Sequence, residues 1–445
     1  MTNTFFVRKK IGSFKNKKIR VSGDKSISIR WVLFASLSSG KSKATNLLMS
    51  DDVKAALNAV KKLGIKVNIK KKVCEIFGKG IGSFKYNKKI IINAQNSGTL
   101  GRLIMGLLVN STYKIKIIGD NSLSKRDFKR ISDPLSKFGV KFILSNNKNL
   151  PLTMLGTEKL KPIRYFEKRG SAQCKSAIIF AGLRTDGTTL IKAKKSRNHT
   201  ELFCKYLNLP VTIKKNKNYD LIKVKKANKI NPINYDIPAD ISSAAFFIVL
   251  TILSNDSSSI IKNVNVNLSR IGLIKILRRM GAKIILKNLV NYKGEQRADI
   301  YVKSTRHLKG INCPSNLNSE AIDEFLLIFL VAARSKGVSY FKNLSELNEK
   351  ESPRLNWGSK ILNYCGVKNE LTNNSLKIYG NPNLKINKKI IIRNYLKDHR
   401  IFMSCVVAGL TFGGKWEIHD KDSIKSSFPN FLKLIKDISE VKKKK

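Results

Sequence analysis

Apolar positions along the chain define two kinds of helix and the strands that follow them. In the first kind, apolar residues fall three or four apart, as at Ile271, Ile274, Leu277 and the pair Ile276/Met280, the stripe of an amphipathic helix. This helix recurs with one exit: a bulky apolar residue or cysteine, then glycine, then a β-branched strand. The copies are Val53–Ile69, Arg130–Ile143, Arg270–Ile285 and Leu355–Val367. Thr200–Ile213 is a copy without the glycine, and Phe428–Ile438 is a last helix with no strand after it. Gly64, Gly139, Gly281 and Gly366 fit the position just past a helix end, where positive φ is favoured. The second kind of helix is strongly apolar: Gly98–Leu108, Ser171–Gly182, Ser242–Leu253 and Ile322–Ala333. Helices this apolar belong inside a domain. Together these elements predict an α/β protein of six repeated units, three to a domain, with a boundary near Pro238–Ser243. Turn dipeptides at Gly119-Asp120, Asp186-Gly187, Gly380-Asn381 and Gly413-Gly414 punctuate the repeats.

The composition fits that picture. A chain of 445 residues with 42% hydrophobic content can bury two or three cores. Lys and Arg number 86 against 30 acidic residues, a net charge of +56, which raises a nucleic-acid reading. The lysines, however, are spread along the chain among Asn and Ile, and only Lys442–Lys445 form a terminal run. Such a field steers small anions toward a cleft, and no specific nucleic-acid partner is expected. The six cysteines form no C-x-x-C pair and the four histidines show no ligand spacing, so neither a disulfide framework nor a metal is expected. No apolar run of signal-peptide length opens the chain, and Ala244–Leu253 is too short to span a bilayer, so the expected compartment is the cytoplasm, with no membrane partner.

Small polar residues and cations sit where the apolar helices begin. Lys25, Ser26 and Arg30 lie within VSGDKSISIR; at helical spacing Ser26 and Arg30 share a face, and the helix start itself favours an anion. A solvated basic patch is the plain alternative. Asn96, Ser97, Gly98 and Thr99 open another helix, with Arg102 one turn on; Ser171, Ala172 and Gln173 open a third, with Lys175 following. Asp240, with Ser242 and Ser243, reads as a cap. Ser124, Lys125, Arg126 and Arg130 add charge after a turn, and Lys350–Arg354 and Asp398-His399-Arg400 come later. Asp323 and Glu351 are expected to approach one another only if the two domains fold together.

Taken in order, DKSISIR at 24–30, Ser50-Asp51-Asp52, Asn96–Thr99 with Arg102, GDNSLSKR at 119–126, SAQCKSAIIFAGL at 171–183, SRNHTE at 196–201, DISSAAFF at 240–247, Asp323-Glu324, Lys350–Arg354, Asp398-His399-Arg400 and Ser427-Phe428-Pro429 form a set. That set resembles the 5-enolpyruvylshikimate-3-phosphate synthase family over nearly the whole chain. The resemblance implies a two-domain inside-out α/β barrel, each domain three βαβαββ repeats with buried helices whose N-termini face a cleft that holds the active site. It places one domain at about 21–240 and the other at about 1–20 plus 241–445. It implies a monomer, without cofactor or metal, that joins phosphoenolpyruvate to shikimate 3-phosphate and releases phosphate.

By the same resemblance, Ser26, Arg30, Ser171, Ala172, Gln173 and Arg197 hold shikimate 3-phosphate. Lys25, Arg126, Arg354 and Arg400 meet phosphoenolpyruvate, with Gln173 and Lys350 between the substrates. Asp323 binds ring hydroxyls and receives the 5-hydroxyl proton, Glu351 serves proton traffic at the methylene carbon, and Lys25 joins them as a catalytic residue. Gly98 leaves open the space that glyphosate, a competitor of phosphoenolpyruvate, would use. The chain departs from the family pattern at Ile29, Asp127, Asn198, Ala239, Pro353, Phe402 and Ser426. Pro353 matters most, because it lies between Glu351 and Arg354 and restrains the residue before it. An ordinary ion pair with Lys350 or Arg354 is the alternative role for Glu351. The rival functions are the sister transferase acting on UDP-N-acetylglucosamine, whose early Lys-Asn pair and loop cysteine are missing here, and a basic nucleic-acid binding protein.

Overall fold

The computed structural model describes residues 3–70, 72–86 and 88–439, so the Lys442–Lys445 run lies outside the described residues. The chain divides into two compact units. The first is Gly23–Ile237 with the short insert Tyr292–Glu295; the second takes the residues up to Ser22, then Pro238–Asn291, and then those from Gln296 onward.

In each unit three helices are buried on all sides. They are Lys25–Leu37, Gly98–Leu107 and Ala172–Gly182 in the first unit, and Ile241–Leu253, Phe325–Ala333 and His399–Phe412 in the second. Every residue of Ile241–Leu253 and of Phe325–Ala333 is buried. That is the expected fate of a helix with no polar face. Close approach between two of them depends on Gly106: a Cβ there would lie 2.2 Å from the Ala177 carbonyl oxygen. The amphipathic helices cover the outside. In Gly272–Arg279, Leu273, Ile274, Ile276 and Leu277 are buried, while Arg278 and Arg279 end the helix at its negative pole.

The exit glycines carry the left-handed turn the sequence implies, with φ of +81°, +103°, +94° and +74° at Gly64, Gly139, Gly281 and Gly366. In the copy without glycine, Asn208 takes the same turn at φ +51°. Asparagine tolerates this region better than other side chains. The helix expected at Ile322–Ala333 starts later, at Phe325. The chain breaks after Asn318–Ala321, and Asp323 and Glu324 fall in the gap.

Among the described residues, six small sheets complete the repeats. In one, Ile90–Asn93 runs parallel to Ile115–Ile118, which pairs antiparallel with Asn149–Leu155 and through it with Lys141–Ser145. Arg164–Glu167, Thr188–Lys194, Tyr219–Lys225 and Val211–Lys215 repeat the order. This is βαβαββ: a parallel pair joined through the buried helix, then an antiparallel hairpin. Two repeats draw their first strand from elsewhere. Lys17–Ile19, just before the Lys25 helix, lies parallel to Ser258–Asn265 in the second unit. Asn234–Asp236, just before the Ile241 helix, lies parallel to Ser39–Thr45 in the first. The last helix needs no strand after it, because the N-terminal Thr4–Val7 pairs antiparallel with Gly413–His419.

All six cysteines are buried as free thiols. Among the described residues, no helix is long and apolar enough to cross a membrane, and no group of three His, Cys, Asp or Glu side chains could hold a metal ion.

Candidate active site

In the first unit the N-terminal ends of the three buried helices are tied together by arginines. Asp24 caps the Lys25 helix by accepting from Ile27 N (2.9 Å). Lys25 Nζ lies 3.0 Å from Asp52 Oδ2. One turn on, Arg30 is buried. Its Nε donates to Thr200 Oγ1 (2.8 Å), Nη1 to the Ser26 carbonyl (3.1 Å) and Nη2 to Ser176 Oγ (3.1 Å). Burial presses its pKa down to about 10; Glu201 and Asp24 act against this, and Arg197 adds to it. Arg197 is therefore near enough to Arg30 for two cations to repel.

The second helix start carries Asn96, Ser97, Gly98 and Thr99. Ser97 caps Leu100 N (3.2 Å), and Asn96 accepts from Arg126 Nη2 (2.8 Å). Arg102 Nη1 donates to Gln173 Oε1 (2.6 Å), and Gln173 Nε2 donates to Thr99 Oγ1 (3.0 Å). Gln173 thus joins the Gly98 and Ala172 helices. A methyl on Gly98 would sit 3.1 Å from Arg126 Nη1 and 3.4 Å from Arg102 Nη1. Ser171 caps Cys174 N (3.2 Å), and its own N–H donates to Glu167 Oε2 (2.9 Å). The carbonyl of Ala172 accepts from Ser176 Oγ (2.7 Å). A cavity of about 570 Å³ in this unit is lined by Asp127, Arg130, Glu167, Arg169 and Cys174, among others, and by none of the site residues expected from sequence. Burial pushes the Cys174 thiol up to about 12, which leaves it unreactive.

In the second unit carboxylates surround the arginines. Arg354 is buried and donates through Nε to Asp398 Oδ2 (2.8 Å), through Nη1 to Asp323 Oδ1 (3.2 Å) and through Nη2 to Glu351. Burial works against its charge, but Asp398, Glu351 and Asp323 outweigh it and hold its pKa above the usual guanidinium value. Burial likewise pushes the Asp398 carboxyl up, yet Arg354 holds it below the usual range. Asp398 also caps its helix at Arg400 N (2.9 Å) and accepts from Ser352 Oγ (2.8 Å). Arg400 Nη1 donates to the Asp323 carbonyl (2.8 Å) and lies 3.6 Å from Glu324 Oε1. Glu324 accepts from Ser242 Oγ, which accepts from Arg270 Nη2 (2.9 Å). Asp240 caps Ser242 N (2.7 Å).

Asp323 and Glu351 therefore meet within one unit, on Arg354, and domain closure is not what brings them together. The ion-pair alternative for Glu351 is present as well. Lys350 lies beside Glu351, partly buried. Pro353 is accommodated because it sits just before the Arg354 helix, where its carbonyl accepts from Trp357 N (3.0 Å) and no helical N–H is lost. Ser426 bonds to His399 Nδ1 (3.3 Å) and Ser423 O (2.9 Å). Sequence reading assigned no role to Asp52, Asn96, Thr99, Arg102, Ser176, Thr200, Glu324 or Asp398. Several lie inside the quoted motifs, but their partners are up to 170 positions away.

Two units of three βαβαββ repeats, with arginines gathered at the starts of buried helices, define an enolpyruvyl-transferase fold. An enolpyruvyl transferase, NikO from Streptomyces tendae, shares it over 98% of both chains with a TM-score of 0.75 at 12% identity. A solved EPSP synthase from Acinetobacter baumannii superimposes with a TM-score of 0.84 at 32% identity, covering 97% of this chain and 98% of that one. The 3-phosphoshikimate 1-carboxyvinyltransferase of Ruthia magnifica is 38% identical over 94% of each chain, and that of Caldicellulosiruptor bescii 36% over 94% of this chain and 96% of its own. The profile of the EPSP synthase (3-phosphoshikimate 1-carboxyvinyltransferase) family matches residues 10–435. The chain belongs to that family.

Proposed function

We propose that the chain transfers the enolpyruvyl group of phosphoenolpyruvate to the 5-hydroxyl of shikimate 3-phosphate, releasing phosphate on the route to chorismate and the aromatic amino acids. The observation that carries this reading is that family motif residues scattered from Lys25 to Arg400 gather into one arginine-centred cluster in each unit. The sister reaction on UDP-N-acetylglucosamine and a nucleic-acid role are set aside, because full-length relatives at 36–38% identity are 3-phosphoshikimate enzymes.

In this reading, shikimate 3-phosphate is held by Ser26, Arg30, Ser171, Ala172, Gln173 and Arg197. The charge on Arg30 is bonded to hydroxyls and a carbonyl, so it stays available to a phosphate dianion. Phosphoenolpyruvate is held by Lys25, Arg126, Arg354 and Arg400, with Gln173 and Lys350 between the two substrates. The 5-hydroxyl oxygen adds to C2 while Asp323 takes its proton and Glu351 protonates the methylene carbon. The tetrahedral adduct then gives a proton back to Glu351 as phosphate leaves, and Lys25 offsets the charge on the departing group. Anions of the donor compete for Arg354, which frees Asp323 and Glu351 for proton transfer. The same reading takes the protein to be a cytoplasmic monomer that needs no cofactor or metal. Phosphate release measured with both substrates, and with each alone, tests it. Release only with both is expected; folded protein inactive toward the pair overturns it.

A further inference from the structure

The short insert Tyr292–Glu295 is the tip of a hairpin whose strands, Lys283–Tyr292 and Glu295–Lys303, lie in a sheet with Ser258–Asn265, yet the tip groups with the first unit. It is firmly held there. Tyr292 Oη accepts from Asp236 N (3.0 Å). The Lys293 ammonium lies over the rings of Tyr292, Tyr206 and Tyr235, at 5.3, 5.5 and 5.9 Å from their centroids. Gly294, at φ +87°, has no room for a side chain: a Cβ would stand 3.1 Å from the Leu202 carbonyl oxygen.

Next to it, Glu295 Oε1 lies 2.6 Å from His199 Nδ1, and both side chains are buried. Neither belongs to the chemistry described above. His199 opens the helix His199–Tyr206, so its contact with Glu295 fixes the start of that helix. The neighbours of His199 in the chain shape the anion site. Thr200 Oγ1 takes Arg30 Nε and lies 2.7 Å from Ser176 Oγ, which takes Arg30 Nη2. Glu201 pairs with the buried Lys175 at 2.6 Å. Two positions before His199 stands Arg197, whose charge acts on Arg30.

We infer that Glu295 is a positioning residue. Through His199 it fixes the segment Arg197–Glu201, and so the placement of Arg30 and Arg197 in the shikimate 3-phosphate subsite; this rests on the function proposed above. The effect should be selective for one substrate. Arg126 is bonded to Asn96 and Lys25 to Asp52, whereas Thr200 and Ser176 bond Arg30 directly. A displacement of about 1 Å in a binding group can cost on the order of 100-fold.

The test uses the full chain and the variants Glu295→Ala, Glu295→Gln and His199→Gln. Wild-type turnover with both substrates decides the function on its own. Given turnover, Glu295→Ala should raise both the KM and the calorimetric Kd for shikimate 3-phosphate by about tenfold or more, with the KM for phosphoenolpyruvate changed by less than about threefold. Glu295→Gln, which can still accept from Nδ1–H, should recover most of that loss. His199→Gln should reproduce the selective loss. If Glu295→Ala fails to fold, the ratio of the two KM changes in Glu295→Gln and His199→Gln decides. Equal changes in both KM values, or an unchanged Kd for shikimate 3-phosphate in folded variants, would overturn the inference.

Discussion

The two clusters solve one problem, keeping arginines out of water, in opposite ways. In the first unit Arg30 is bonded to two hydroxyls and a carbonyl, and Arg102 and Arg126 reach the amides of Gln173 and Asn96. In the second, Arg354 meets three carboxylates and Arg400 lies near two. Neutral acceptors orient a buried cation without pairing its charge directly, although Glu201 and Asp24 still act on Arg30. Carboxylates neutralise the cation, and Arg354 in turn holds the Asp398 carboxyl below its usual range, so that cluster must exchange partners before its acid–base groups can act. Removing one partner of a buried pair is costly because the other charge remains. Substitutions should therefore damage stability in the second unit and affinity in the first.

The largest effect is expected for Asp323→Asn. The amide can still accept from Arg354 but cannot take a proton. Turnover should fall roughly 10²- to 10⁴-fold while calorimetric affinity for shikimate 3-phosphate is kept. Turnover within threefold of wild type would remove Asp323 from its role. Next comes Asp398→Asn, which strips charge from the centre of the second cluster. A loss of about 3–5 kcal/mol is expected in urea unfolding at neutral pH. The sign with pH is set by the lowered pKa of Asp398 in the folded protein. Its contribution is fully present above the ordinary aspartate value and disappears as pH falls through the lower folded value. The gap between wild type and variant should thus close in acid; a constant gap would break the comparison.

A smaller effect is expected at Gly98→Ala. The added methyl presses on Arg126 Nη1 at 3.1 Å, so the guanidinium must yield by a few tenths of an ångström. The glyphosate inhibition constant should rise more than the phosphoenolpyruvate KM, by an amount within the roughly 1–3 kcal/mol that one carbon is worth in a pocket. An unchanged ratio would mean that the methyl is absorbed elsewhere. Smallest is Asn208→Gly, which makes this exit like the glycine copies. Thermal unfolding should show a change within about 0.5 kcal/mol, because asparagine already tolerates the turn.

Asn208 also marks what the sequence could and could not reveal. The repeats were legible because each glycine exit and each all-apolar helix is a local signal, and the missing glycine left Thr200–Ile213 recognisable by periodicity alone. The expected start of the Phe325 helix lies too early, since Ile322 and Ala321 continue the apolar pattern through the break that holds Asp323. The motif residues were legible as a resemblance, while their partners were not. Arg102 with Gln173 and Arg354 with Asp398 are 71 and 44 positions apart, and only packing brings them together. The insert Tyr292–Glu295 falls within 241–445, which the resemblance gives to the second domain. Its place with the first unit is decided by Tyr206, Tyr235 and His199, which no local pattern joins to it.

The burial of every native cysteine has a practical consequence. Burial pushes the thiols of Cys174 and Cys365 up to about 12 and those of Cys74 and Cys313 up to about 11, and holds Cys204 and Cys405 well above the usual thiol value. At neutral pH thiolate is the reactive form, and these six supply almost none of it. The folded wild-type chain is thus a silent background for maleimide chemistry. A cysteine introduced at an exposed site, such as the half-exposed Tyr364, would take a fluorophore or spin label selectively, without first rebuilding six core positions.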